Sequence, residues 1–322
     1  MPPPWVAQRS TRIHDEDSII SALRKPKPVR RGDLVAVVAP SGACDPERLS
    51  AGVRLLEGWG LRVHLEEPGP ALRYFAAGDR ERAGRLTDAL RRTDVKAVLA
   101  TRGGYGSARL HPYLDVADAL PDPKIFVGFS DLTILLSRIV QEAHVVAYHG
   151  PMVAADLPQF DDSARERFRR FLFGEPDWWE GCCPEVWRGG TAEARLVGGC
   201  LSVLVTTLGT PYEIDTDGAI LFLEDVAEKP YRIDRMLTHL KHAGKLSRVR
   251  GVVLGSMLDC DGGEGEGVLR DVVTEVIEDS AVPVLAGFDA GHGTGNVVLP
   301  FGCQVRLDAG TQQLTLLEPV FS

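Results

Sequence analysis

With 322 residues, 44% of them hydrophobic and 25% charged, the chain is long enough for two domains of ~100–200 residues and has the composition of a globular protein with a substantial core. Its 36 Lys+Arg against 45 Asp+Glu leave a formal charge of −9, which argues against a nucleic-acid partner, since phosphate binding needs a basic surface. No basic block and no long apolar run suggests membrane attachment, so a cytoplasmic location is the expectation.

Residues 1–30 carry Pro2, Pro3, Pro4, Pro26 and Pro28 among charges and read as an extension that is mobile or packs late on the surface. From Leu34 the pattern alternates. LVAVVAP (34–40) predicts a buried strand, DPERLSAGVRLLEGWG (45–60) a capped helix and LRVHLEE (61–67) a second strand. DRERAGRLTDALRRTD (79–94) predicts a helix, KAVLATRGG (96–104) and KIFVGF (124–129) strands, LTILLSRIVQEA (132–143) a helix and HVVAYHGP (144–151) a fifth strand. Such alternation implies an α/β, Rossmann-like domain over 31–173, its mostly parallel sheet carrying ligands outside the strands' carboxyl ends.

The rhythm lapses in GEPDWWEGCCPEVWRGGTAEA, so 174–194 reads as a linker. A second, β-rich α+β domain over 195–322 follows. It contains the strand AILFLED (219–225), a helix in PYRIDRMLTHLKHAG (230–244) with Ile233, Met236, Leu237 and Leu240 on one face, and a helix at 267–279. GVVLGSM (251–257) and VPVLAGF (282–288) add strands, and the tail turns at Pro300-Phe301-Gly302 and Asp308-Ala309-Gly310 as antiparallel hairpins do.

The six cysteines show no C-x-x-C and predict free, buried or half-buried thiols. His239 and His242 share a helix without a carboxylate pattern and read as a solvated face rather than a metal site. No metal or organic cofactor is implied by the reading that follows.

Three polar groups stand at strand ends. Ser130 follows the apolar run VGF; it reads either as a helix cap, its oxygen accepting unpaired N–H groups, or as a nucleophile on a strand-to-helix turn. A serine nucleophile needs a base, and the base needs a group that holds its tautomer. His292, among Gly291, Gly293 and Gly295, sits in a loop where backbone can approach closely, although an incidental histidine in a flexible loop has the same pattern. Glu224 ends an apolar strand and needs a buried partner; the adjacent Asp225 and Glu228 could serve a helix-preceding turn. Arg102-Gly103-Gly104-Tyr105-Gly106 offers successive N–H groups without Cβ obstruction. With the N–H of Asp131, Gly104 could bind an oxyanion, Gly103 being the alternative donor.

VAPSG (38–42), TRGGYGS (101–107), VGFSDLT (127–133), HGPM (149–152), LVGGCLSVL (196–204), GTPYEID (209–215), LFLEDVAEKPYRIDRMLTHL (221–240) and the GHG at 291–293 together resemble the LD-carboxypeptidases. These serine peptidases include murein tetrapeptide carboxypeptidases and microcin C immunity proteins. The resemblance implies a Ser130–Glu224–His292 triad in a cleft between the two domains, a small muropeptide-like substrate and a homodimer. It also implies release of a terminal D-amino acid from an L,D-amide, as in peptidoglycan recycling. A free terminal carboxylate would need a cation, for which Arg102 is nearest by sequence. The chain departs from the family's Gly-Gly-Asn-Leu at Gly199-Cys200-Leu201, and from G-x-S-x-G because position 132 is leucine.

Rival expectations are hydrolysis of a peptidyl-nucleotide, with Trp178, Trp179 or Trp187 stacking on a base, and a non-catalytic binding homologue. A glycosidase pairing Glu224 with Asp225 or Glu228 ranks last, and Glu224 with Asp225 is disfavoured because neighbours on an extended segment point opposite ways.

Overall fold

The computed structural model describes residues 23–65, 71–261 and 267–322. Most of the proline-rich extension and the last two residues of the strand expected at 61–67 lie outside the described residues. Residues 23–30 pack into the molecule: the Val29 N–H donates to the Leu172 carbonyl, Val29 is buried, and Arg24 bridges Val145.

The first half runs β1 (Leu34–Val38), α1 (Pro46–Gly58), β2 (Arg62–Leu65), α2 (Asp79–Arg91), β3 (Val95–Ala100), α3 (Val116–Ala119), β4 (Ile125–Gly128), α4 (Thr133–Glu142), β5 (Ala147–His149) and α5 (Asp162–Phe173). The second runs β6 (Glu185–Arg188), β7 (Thr191–Cys200), α6 (Leu201–Leu204), β8 (Ile220–Val226), α7 (Pro230–His242), β9 (Gly251–Leu258), α8 (Val268–Val276), β10 (Val284–Ala286), β11 (Leu299–Phe301), β12 (Gln304–Asp308) and β13 (Gln313–Leu316). Within the stretch read as a linker, Glu185–Arg188 pairs with β10, and Thr191 to Ala194 already belong to β7.

Two sheets organise these elements. The first has the order β11-β5-β4-β3-β1-β2, parallel except for β11. Its strand order reverses between β1 and β3, the switch point at which open α/β sheets bind ligands. The second has the order β13-β12-β7-β8-β9-β10-β6, with a parallel centre and antiparallel edges. The tail expectation needs one correction. Asp308-Ala309-Gly310 does join a hairpin, β12 to β13, but Pro300-Phe301-Gly302 does not, because β11 pairs with β5 in the first sheet. Proline is tolerated there because β11 is an edge strand, where a missing N–H breaks no ladder. The crossing has a consequence for the site: the loop between β10 and β11, which carries His292, is anchored in both sheets.

α4 joins the halves. It is buried continuously from Thr133 to Val140 and touches β5 on one side and β7 and α6 on the other. Burial of Ile134, Leu135, Leu136 and Ile139 stabilises this contact by roughly 6–12 kcal/mol before entropy is counted. The Thr133 hydroxyl accepts the Cys200 N–H at 3.1 Å, and a Cβ on Gly199 would lie 2.5 Å from Thr133 Cγ2, so only glycine allows this approach. On α7, Ile233, Leu237 and Leu240 are buried while His239 and His242 are exposed. All six cysteines are unpaired thiols. Among the described residues no helix is long and apolar enough to cross a membrane, and no side-chain group could hold a metal.

Candidate active site

Ser130 stands two residues beyond β4, at the start of a 3-10 turn that leads into α4. Its side chain caps neither the turn nor the helix. Its φ of +60° is a left-handed conformation that costs a non-glycine residue about 1 kcal/mol or more. Backbone in this strained state turns sharply and lifts the side chain out of the sheet, as a nucleophile elbow does, although Leu132 replaces the usual glycine. The hydroxyl lies 3.2 Å from His292 Nε2.

His292 is held from behind by Glu224. The imidazole Nδ1 is 2.7 Å from Glu224 Oε2, and the His292 backbone N–H donates to the same oxygen at 3.2 Å. Because an ionised carboxylate only accepts, the ring proton is fixed on Nδ1, leaving Nε2 to accept from the Ser130 hydroxyl. Burial lowers the pKa of His292, but the hydrogen bond and charge of Glu224 outweigh it and raise the imidazole above its ordinary 6.5. Glu224 itself is fully buried, and burial raises its carboxyl against the pull of His292.

Two backbone features aim this pair. Pairing of β8 with β9 slips between Leu223 and Asp225, a bulge that re-aims Glu224. Gly291 has φ +105°, and a Cβ there would fall 2.5 Å from Glu224 Oε2. The loop is closed by Asn296, whose Oδ1 accepts the Gly291 N–H at 2.9 Å. Phe129 packs edge-on to the imidazole at 4.9 Å, and the buried His149 ring lies 5.6 Å from Phe129.

Ser130 and His292 open into a cavity of about 330 Å³ whose lining includes Arg102, Gly103, Gly104, Arg48 and Asp156. A Cβ on Gly103 would sit 3.0 Å from Ser130 Oγ and 3.3 Å from the Asp131 nitrogen, so the Arg-Gly-Gly loop lies directly against the serine. The N–H groups of Gly104 and Asp131 meet no acceptor among the described residues. The Asp131 carboxylate has a different task. It accepts from Ser41 Oγ at 2.6 Å and from the Ser107 N–H at 2.8 Å, while the Ser107 hydroxyl donates to the Asp131 carbonyl. One buried carboxylate thus ties together the segments that follow β1, β3 and β4. Arg82, also buried, supports the same loop through the carbonyls of Pro40 and Gly106.

Sequence reasoning missed Ser41, Ser107, Arg48 and Asp156 as parts of this site. The first two lie in VAPSG and TRGGYGS, already singled out; the signal was present but assigned no task. Asp156 accepts the Met152 N–H at 2.7 Å, and burial pushes its pKa up to about 6. Arg102 lines the cavity, yet it is exposed and its Nη1 donates to the Ala43 carbonyl.

The rival readings meet specific geometry. None of Trp178, Trp179 and Trp187 lines this cavity. Trp178 packs on Phe171, Trp179 donates to the Leu314 carbonyl, and Trp187 faces a separate cavity of about 350 Å³. Asp225 points away from Glu224 and accepts the Ser202 N–H at the start of α6. Cys200, which stands where the family has asparagine, is buried beside Ser202 and is not among the residues lining the cavity.

The sequence profile of the LD-carboxypeptidase N-terminal domain matches residues 35–150, and that of the LD-carboxypeptidase C-terminal domain matches residues 193–307. The chain belongs to the LD-carboxypeptidase family. This LD-carboxypeptidase homologue is 37% identical to the probable murein peptide carboxypeptidase of Bacillus subtilis over 90% of its own length and 93% of the relative's. Its fold is similar to that of muramoyltetrapeptide carboxypeptidase from Oxalobacter formigenes, with TM-score 0.79 and 30% identity over 88% of this chain and 97% of the other. MccF in complex with glutamyl sulfamoyl guanosine shares the fold, with TM-score 0.83 and 24% identity over 92% of this chain and 99% of the other. Family membership makes the protein a serine-type hydrolase of the carboxypeptidase class.

Proposed function

We propose that this protein hydrolyses the amide between an L-centre and a terminal D-amino acid of a muropeptide-like substrate, through an acyl-enzyme on Ser130. The observation that carries the reading is the hydrogen-bonded run from Ser130 Oγ to His292 Nε2 at 3.2 Å and from His292 Nδ1 to Glu224 at 2.7 Å, opening into a cavity. Ser130 attacks the scissile carbonyl as His292 takes its proton, and Glu224 stabilises the imidazolium that forms. The N–H groups of Gly104 and Asp131 receive the developing oxyanion. His292 then returns the proton to the leaving amine, and a water activated by the same imidazole hydrolyses the ester.

Incubation with a murein tetrapeptide should release D-alanine, scored by amount and chirality. Ser130→Ala should lose on the order of 10⁴-fold of the turnover. Retention of most activity in that variant would remove Ser130 from the mechanism. Peptidyl-nucleotide hydrolysis has less support, because none of the described tryptophans lines the cavity that holds Ser130.

A further inference from the structure

A carboxypeptidase must recognise a free terminal carboxylate, and the cavity beside Ser130 holds two arginines, Arg48 and Arg102. They differ in how they are held. Arg102 is exposed and makes one side-chain hydrogen bond, to the Ala43 carbonyl. Arg48, half-buried on α1, is gripped twice: Nε donates to the Ala154 carbonyl at 3.0 Å and Nη2 to the Ala155 carbonyl at 2.5 Å. Both carbonyls belong to the turn that follows HGPM, which Asp156 braces through the Met152 N–H.

Neutral carbonyls fix the guanidinium plane without cancelling its charge. No carboxylate lies within ion-pair distance of Arg48 among the described residues, and Nη1 has no partner among them. Asp45, which also lines the cavity, is committed to capping α1 through the N–H groups of Glu47 and Arg48, and the adjacent Glu47 is exposed. Asp156 senses the Arg48 charge only from beyond ion-pair distance. A partly desolvated cation without a direct ion pair favours an anionic ligand, and a fixed planar fork loses less freedom on binding one than a mobile side chain does.

We propose that Arg48, rather than Arg102, anchors the terminal carboxylate of the substrate and so makes the site select free chain ends. The inference rests on the carboxypeptidase reading above and assigns the specificity of that same site.

The test compares a tetrapeptide ending in D-alanine with its C-terminal carboxamide, scored by kcat/KM. Wild type should prefer the free acid by on the order of 10²-fold, and Arg48→Met should bring that ratio to within about threefold of unity. Arg102→Met should keep the ratio, and Arg48→Lys, which retains the charge but loses the fork, should fall between. Labelling of Ser130 by a fluorophosphonate in Arg48→Met reports that the nucleophile is still assembled. The proposal is overturned if Arg48→Met keeps the wild-type ratio, if Arg102→Met abolishes it, or if Arg48→Met is no longer labelled, which makes Arg48 a purely structural tether. Wild-type turnover of neither peptide overturns the carboxypeptidase reading and this inference with it; turnover with an unchanged ratio in Arg48→Met overturns the inference alone.

Discussion

Gly103→Ala adds one methyl group where the Arg-Gly-Gly loop approaches Ser130, the proposed nucleophile. That carbon would sit 2.9 Å from Ser130 Cβ, 3.0 Å from Ser130 Oγ and 3.3 Å from the Asp131 nitrogen. Carbon–carbon contacts are favourable at about 3.5–4.0 Å, so the loop and the serine must separate by roughly 0.6–1 Å. Gly103 does not have a positive φ, so alanine is compatible with its backbone and the effect comes from the contact alone. A misplacement near 1 Å costs about 10²-fold in rate, and loss of one oxyanion donor about 10²–10³-fold. We expect kcat to fall by about 10²–10³-fold, or roughly 3–4 kcal/mol of barrier, with an overpacking cost to stability of about 1–3 kcal/mol. Gly84→Ala is the control: nothing lies within 4 Å of its added carbon on the exposed face of α2, and helix propensity predicts slight stabilisation with unchanged turnover. D-alanine release gives kcat and a thermal melt gives stability. A folded Gly103→Ala protein with kcat within threefold of wild type would refute the placement of the loop against the nucleophile.

Since Glu224 raises the pKa of His292 above 6.5, and a general base must be neutral, kcat/KM should fall as pH drops through a value above 6.5. In Glu224→Gln the hydrogen bond and charge of Glu224 are removed while burial and the smaller pulls of Asp225 and Asp156 remain, so the acid limb should move to lower pH as kcat drops; a limb that stays in place contradicts the coupling. Asp131→Ala strands Ser41 Oγ and the buried Ser107 N–H, and should cost about 3 kcal/mol in a denaturant melt together with most of the activity. Ser130→Gly should be more stable than Ser130→Ala by about 1 kcal/mol, because glycine relieves the left-handed strain at φ +60°, and both should be inactive. Gly291→Ala drives a carbon to 2.5 Å from Glu224 Oε2 and should lower kcat by about 10²-fold without altering the oxyanion loop, measured by the same amine-release assay.

The apolar runs at β1, β3, β4 and β8 were legible because strands buried on both faces carry no polar alternation. Ser130 and Glu224 could be singled out because each stands where an apolar run stops, a place where a polar residue needs a local reason, and His292 because it sits among glycines in a loop after such a run; the structure brings the three side chains within hydrogen-bond reach. β11 was not legible as part of the first sheet, since LPF next to a glycine turn carries no signal of which sheet it will join; packing across the molecule decides that. The task of Asp131 was hidden because an aspartate at the start of a helix has a sufficient local reason to be there. Its partners, Ser41 and Ser107, come from distant loops brought together by the strand order. Arg48 lies in an amphipathic helix whose charged face reads as solvated, and only the turn after HGPM, folded against it, turns that face into a cavity wall.

Central to the account is a hydroxyl on Ser130 activated by His292. Reaction of the folded protein with a fluorophosphonate, followed by peptide mass mapping, tests this most directly. The account predicts a single adduct on Ser130, lost in His292→Ala and in the denatured protein; absence of labelling, or an adduct elsewhere while Ser130→Ala remains active, would contradict it.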